Sequence, residues 1–239
     1  MRITLHTGTP AEIARPAGVT PARGLVMWPD IRGLRPLFDQ HAQRVADAEG
    51  WVVVVPEMWP GREQLSVVDR LESAGELRDD AKLADALAAA EATGCDTVGI
   101  MGFCMGGMYA MKASSSGRFD ASVSFYGMIR MPEAWRAPHQ TDAIDSVAAP
   151  GACPVLALCG TEDPWLPESE LDELDELATV VRYPGADHAF AQDPGVARRL
   201  RAQCIVAAHP SWGSAPRFPR VGDLDELPQE PNDVGQGRA

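Results

Sequence analysis

Val98-Gly99-Ile100-Met101-Gly102-Phe103-Cys104-Met105-Gly106-Gly107-Met108 is the stretch whose reading decides the fold. Residues 98–101 are apolar or small, as in a buried strand, and Tyr109-Ala110-Met111-Lys112-Ala113 beyond the glycines is helix-forming. Strand, Gly-x-Cys-x-Gly-Gly turn and helix together read as a nucleophile elbow, Gly-x-Ser-x-Gly with cysteine in the place of serine. So tight a turn brings backbone against backbone, and Gly102 and Gly106 remove the side chains that would collide across it. Cys104 is then expected at the apex, exposed and strained. The amide of Met105 opens a helix whose free N–H groups and dipole favour negative charge, on a thiolate or on an oxyanion. Taken alone, the stretch also fits a Gly-rich connection in an ordinary α/β protein, with Cys104 as a small buried apolar residue.

Outward from the elbow, strands and helices alternate. Gly24 to Trp28 reads as a buried strand stopped by Pro29, followed by an amphipathic helix from about Arg35 to Glu49. Trp51 to Val55 is a continuous β-branched run of the kind buried on both faces of a parallel sheet. Leu77 to Thr93 carries Leu83, Leu87 and Ala90 at helical spacing and is closed by Gly94. Past the elbow come a strand at Ala121 to Gly127, a loop-rich excursion from Met128 to Pro150, a strand at Pro154 to Cys159, an acidic helix at Glu168 to Leu177, a strand at Thr179 to Tyr183, and a closing helix at Gly195 to Ala208. Ile3 to His6 suggests an edge strand, Pro10 to Pro21 a loop with weak strand potential, and the stretch between Arg62 and Leu77 a polar connection. The expected architecture is α/β, a mainly parallel central sheet flanked by helices on both faces.

The 239 residues suit one domain, taken as 1–209, with 210–239 a Pro-, Gly- and acid-rich tail expected to be poorly ordered. Acidic residues number 34 against 21 basic, a formal charge of −13 that repels nucleic acid and anionic membrane surfaces and favours small-molecule partners. The apolar runs are strand-sized and the N-terminus lacks a signal-peptide pattern, so a cytoplasmic, monomeric protein is expected. Five cysteines without disulfide-like spacing agree with a reducing compartment. Neither Cys-x-x-Cys nor His-x-x-x-His occurs, and no metal or cofactor is expected.

In a mainly parallel sheet functional groups gather at the carboxyl ends of strands. Asp30, Glu57, Cys104, Asp163 and His188 all follow predicted strands. A cysteine nucleophile needs a base, and the base needs an anion to hold its tautomer. His188 and Asp163 can fill those roles, with Glu162 and Asp187 as alternative acids. His6, His41, His139 and His209 compete as bases, but none follows a late strand with a Gly turn before it.

These motifs resemble the dienelactone hydrolases, with an α/β-hydrolase fold, over approximately Gly24 to Ala191. Gly102-Phe103-Cys104-Met105-Gly106-Gly107 resembles the family's nucleophile motif, Ser124-Phe125-Tyr126-Gly127 the strand that follows, Gly160-Thr161-Glu162-Asp163 its acid loop, and Tyr183-Pro184-Gly185-Ala186-Asp187-His188-Ala189-Phe190 its histidine loop. The resemblance implies a Cys104, Asp163, His188 triad with the amides of Met105 and Ile31 as the oxyanion hole. The family usually has a thiol-modulating glutamate where this chain has the shorter Asp30. It also uses two arginines on a substrate carboxylate, and here the two positions hold Arg62, or a neighbour of it, and Gln192. With at most one of the two cations, a bidentate carboxylate clamp is weakened. The expected activity is hydrolysis of a small ester or lactone through a thioacyl-enzyme, with Arg62, Trp59, Tyr126 and Trp135 as candidate substrate contacts. The alternative is a ligand-binding or redox-responsive protein in which Cys104 is oxidised.

Overall fold

The structure is a computed structural model and describes residues 1–192. The helix expected at 195–208, the tail expected from 210, and His209 lie outside the described residues. The described strands are β1 (Arg2–Thr4), β2 (Pro10–Ala14), β3 (Arg23–Trp28), β4 (Val52–Pro56), β5 (Thr97–Phe103), β6 (Ala121–Phe125), β7 (Val155–Gly160) and β8 (Thr179–Tyr183). They form one sheet in the order β1-β2-β4-β3-β5-β6-β7-β8, antiparallel at β1/β2 and β2/β4 and parallel elsewhere. The helices are α1 (Pro36–Glu49), α2 (Val67–Glu72), α3 (Asp79–Thr93), α4 (Met105–Lys112), α5 (Ala143–Val147) and α6 (Glu168–Asp175).

The valine run of β4 and the residues Leu25 to Trp28 of β3 are buried throughout, as strands covered on both faces must be. Strand order then fixes where the helices go. From β3 to β4 the chain steps one way along the sheet, and from β4 to β5 and onward it steps the other way. Right-handed crossovers therefore put α1 on one face and α3 to α6 on the opposite one. The contacts of α4 with both α3 and α5 agree with that placement. The doubly covered, mainly parallel sheet expected from the sequence is the architecture found. Its direction reverses at β3, so the crevice between the ends of β3 and β5 is where such a fold places a ligand.

Three segments depart from expectation. Pro10–Ala14 is a strand, paired antiparallel with β4 from Ala11↔Pro56 to Ala14↔Val53. Its proline stands at the first position, where a missing N–H is tolerated, and pairing with a buried neighbour outweighs weak local propensity. The polar connection holds helix α2, begun by a capping box in which Ser66 and Asp69 bond each other's backbone N–H. The excursion from Met128 contains a 3₁₀ turn at Glu133–Trp135 and helix α5.

Candidate active site

β5 ends at Phe103 and α4 begins at Met105, leaving Cys104 alone in the turn with φ 56° and ψ −121°. That conformation is sterically costly for a residue with a Cβ and persists only where neighbours enforce it. Cys104 N–H donates to the Phe125 carbonyl at 2.9 Å, and its carbonyl accepts from Met108 N–H at 3.1 Å. A Cβ on Gly102 would lie 2.0 Å from the Gly106 carbonyl oxygen, and one on Gly106 would lie 2.2 Å from that of Pro29. The elbow is thus seated directly on the end of β3. Gly102→Ala is expected to lower stability by about 3 kcal/mol, read as a shift of the urea midpoint, because backbone must move to admit the methyl group.

Asp163 follows β7, and its carboxylate is fully shielded from solvent. One oxygen, Oδ1, accepts the Trp165 N–H at 2.9 Å, and the other, Oδ2, accepts the His188 Nδ1–H at 2.7 Å. The acid and histidine loops are sewn together: Thr161 N–H donates to the Tyr183 carbonyl, Glu162 N–H to that of Ala186, and Gly185 N–H to the Thr161 hydroxyl. Glu162 and Asp187 are exposed, and the Asp187 carboxylate accepts the backbone N–H of His188. Asp163 is the carboxylate that meets the imidazole ring. Burial pulls the His188 pKa down, but hydrogen bonds to Asp163 and Cys104 and electrostatic interaction with both outweigh it and carry the pKa up to about 10. The edge-on Tyr126 ring, centred 5.1 Å from the imidazole and itself buried with φ 42°, completes the histidine's packing.

The loop after β3 carries Ile31. Both Asp30 oxygens accept from Arg35, at 2.6 and 2.8 Å, and Oδ1 also accepts the Arg32 N–H. The residue expected to modulate the thiol is therefore engaged in a bidentate ion pair that shapes its own loop. Trp59 is buried, and its indole N–H donates to the Ile31 carbonyl at 2.8 Å, a supporting contact beside the expected oxyanion hole. Glu57, also buried, accepts the N–H groups of Leu34 and Trp59, and burial raises its pKa against those bonds and the nearby Arg70 charge. Met105 begins α4, where first-turn amides have no acceptor within the helix.

Arg62 pairs with Glu76 at 2.7 Å and lines a cavity of about 380 Å³ with Thr7, Thr9, Lys82 and Asp85. Cys104, Asp163 and His188 are not in that cavity's wall. Trp135 is buried and stacks on Trp165, centroids 5.5 Å apart, so the excursion after β6 is docked on the acid loop. Among the competing histidines, His6 faces Glu91, His41 packs against Phe38 and Phe103, and His139 bonds the Gly75 carbonyl. Sequence reasoning overlooked Arg35, Arg70 and Trp165. Only Trp165, two residues beyond a candidate acid, lay close to a recognised motif.

A tight strand–turn–helix elbow bearing Cys104 at the sheet's switch point, with the Asp163 and His188 loops following in chain order, is the arrangement of an α/β-hydrolase fold. A profile of the dienelactone hydrolase family matches residues 9–209. The chain belongs to that family. It is 30% identical over 224 residues, 85% of its own length and 86% of the relative's, to a Bradyrhizobium protein named "Probable 2-oxo-3-(5-oxofuran-2-ylidene)propanoate lactonase". It is also 24% identical to the carboxymethylenebutenolidase of Rhodococcus opacus, over 81% of this chain and 79% of that one. In fold it is similar to a Klebsiella pneumoniae protein assigned to the dienelactone hydrolases, with a TM-score of 0.77, 21% identity, and coverage of 87% of this chain and 96% of that one. Among the described residues no helix is long and apolar enough to cross a membrane.

Proposed function

We propose that this chain hydrolyses a small ester or lactone through a Cys104-His188-Asp163 triad and a thioacyl-enzyme. The observation that carries the reading is the His188 ring, bonded through Nδ1 to the buried Asp163 carboxylate at 2.7 Å and hydrogen-bonded to Cys104. His188 takes the thiol proton from Cys104 as the general base. The thiolate attacks the carbonyl carbon, and the oxyanion is held by the amides of Met105 and Ile31. Collapse breaks the C–O bond, and the leaving alkoxide takes the proton from His188. The imidazole, now neutral, removes a proton from water, hydroxide attacks the thioester, and the carboxylic acid departs as Cys104 is regenerated. Asp163 stabilises the imidazolium throughout. Lactonase and butenolidase names among the relatives support the substrate class.

Stopped-flow hydrolysis of p-nitrophenyl acetate tests this reading. The native protein is expected to release one equivalent of nitrophenolate in a burst, and Cys104→Ala none. A protein that gives no burst and no turnover on any ester, while Cys104 still reacts with peroxide, would overturn the reading in favour of a redox-responsive role.

A further inference from the structure

The Ile31 amide can serve as an oxyanion donor only if it points at a fixed place, and the loop carrying it has no regular secondary structure. Peptide planes are rigid, so the Ile31 N–H points where the plane joining residues 30 and 31 points, and that plane hinges at the Ile31 Cα on the plane that follows it. The first plane is held through the Asp30 carbonyl, which accepts Gly33 N–H at 2.9 Å. The second is held through the Ile31 carbonyl, which accepts two donors: the Trp59 indole at 2.8 Å and Arg70 Nη1 at 3.2 Å.

Arg70 is placed for this and is costly to keep there. It is 5% exposed, although it lies on the short helix α2, and its Nη2 donates to the Glu63 carbonyl. Glu57 supplies the compensating charge, and both side chains lie under Gly33. A Cβ at Gly33, where φ is +69°, would fall 2.3 Å from Glu57 Oε1 and 3.2 Å from Arg70 Nη1. Among the described residues this buried guanidinium bonds backbone carbonyls and the carboxylate backing it bonds backbone amides, so the pair acts to fix backbone.

We infer that Arg70 is a positioning residue for the reaction, fixing the Ile31 amide in the direction that an oxyanion requires. The inference rests on the hydrolase reading above. Because the interaction matters chiefly when charge develops on the carbonyl oxygen, its loss should slow acylation and leave ground-state binding almost unchanged.

The test compares native protein, Arg70→Met and Arg70→Lys in two reactions. Acylation by p-nitrophenyl acetate needs the oxyanion hole; alkylation of Cys104 by iodoacetamide needs only the thiolate. Arg70→Met is expected to slow the burst about 30-fold, with half-saturation within about threefold and alkylation within about twofold of native. Arg70→Lys, which keeps a charge and a donor, is expected to fall between the two, and decides the matter if the methionine variant does not fold. A burst at the native rate in the folded variants, or equal losses in acylation and alkylation, would overturn the inference while leaving the triad intact. A native protein without a burst would remove the triad reading and this inference with it.

Discussion

His188→Ala is expected to lower turnover of a reactive ester by at least about 10³-fold and to abolish the burst, since it removes the group that holds the thiol proton and later activates water. The loss should not be rescued by raising pH, even though more thiolate then forms, because the thioester still lacks the base that activates water. In the native protein activity should decline as pH rises through about 10, where the imidazolium supported by Asp163 and Cys104 loses its proton. The same titration acts on stability. The folded pKa of about 10 lies above the ordinary histidine value of about 6.5, so the charged ring's contribution is fully present below the latter and disappears as pH rises through the former. Urea melts of native protein and His188→Ala at several pH values should therefore converge between about pH 6.5 and 10. Parallel curves would mean that folding leaves the histidine pKa at its ordinary value.

Where the sequence was informative, the cause is that a single physical constraint ruled the segment. Gly102 and Gly106 could be assigned because only glycine survives carbonyl oxygens about 2 Å from its missing Cβ, and the valine run of β4 because only a doubly covered strand buries four consecutive β-branched residues. Pro10–Ala14 was less legible because a partner strand, supplied by residues 53 to 56, decides its conformation. The site divides in the same way. Cys104, Asp163 and His188 each follow a recognisable strand, and the meeting of His188 with Asp163 follows from the pairing of β7 with β8. The supports of the oxyanion loop do not: Trp59 and Arg70 reach Ile31 across 28 and 39 residues of sequence, and Arg35 takes the Asp30 carboxylate through a local pairing no motif announces. Long charged side chains have many possible partners, and only the folded backbone selects one. Arg62 is a second example, since its position in the chain says nothing of Glu76, with which it pairs at the wall of a cavity.

Asp163→Asn should be nearly as damaging as loss of the histidine, for a reason the hydrogen bonds make specific. Asp163 accepts two N–H bonds through different oxygens, from Trp165 and from His188. An amide has one accepting oxygen and one donating nitrogen. If its oxygen stays on the Trp165 N–H, its NH₂ faces His188 Nδ1 and demands the tautomer with the proton on Nε2, which cannot take the proton of Cys104. If it turns to accept from His188, the Trp165 N–H meets an NH₂ group and the acid loop loosens at the stack with Trp135. Either arrangement also removes the buried charge that sustains the imidazolium, so the His188 pKa should fall from about 10 toward its ordinary range. Turnover is expected to drop by about 10⁴-fold, the loss that replacing the triad carboxylate by its amide produces in serine proteases. The pH dependence separates this from simple disruption. Titration of His188 followed by NMR should show a lower pKa in the variant, and with it a loss of activity beginning at lower pH on the alkaline side. A variant that lost activity with the native pKa intact would make Asp163 a structural tie for the loop and leave another group to hold the imidazolium.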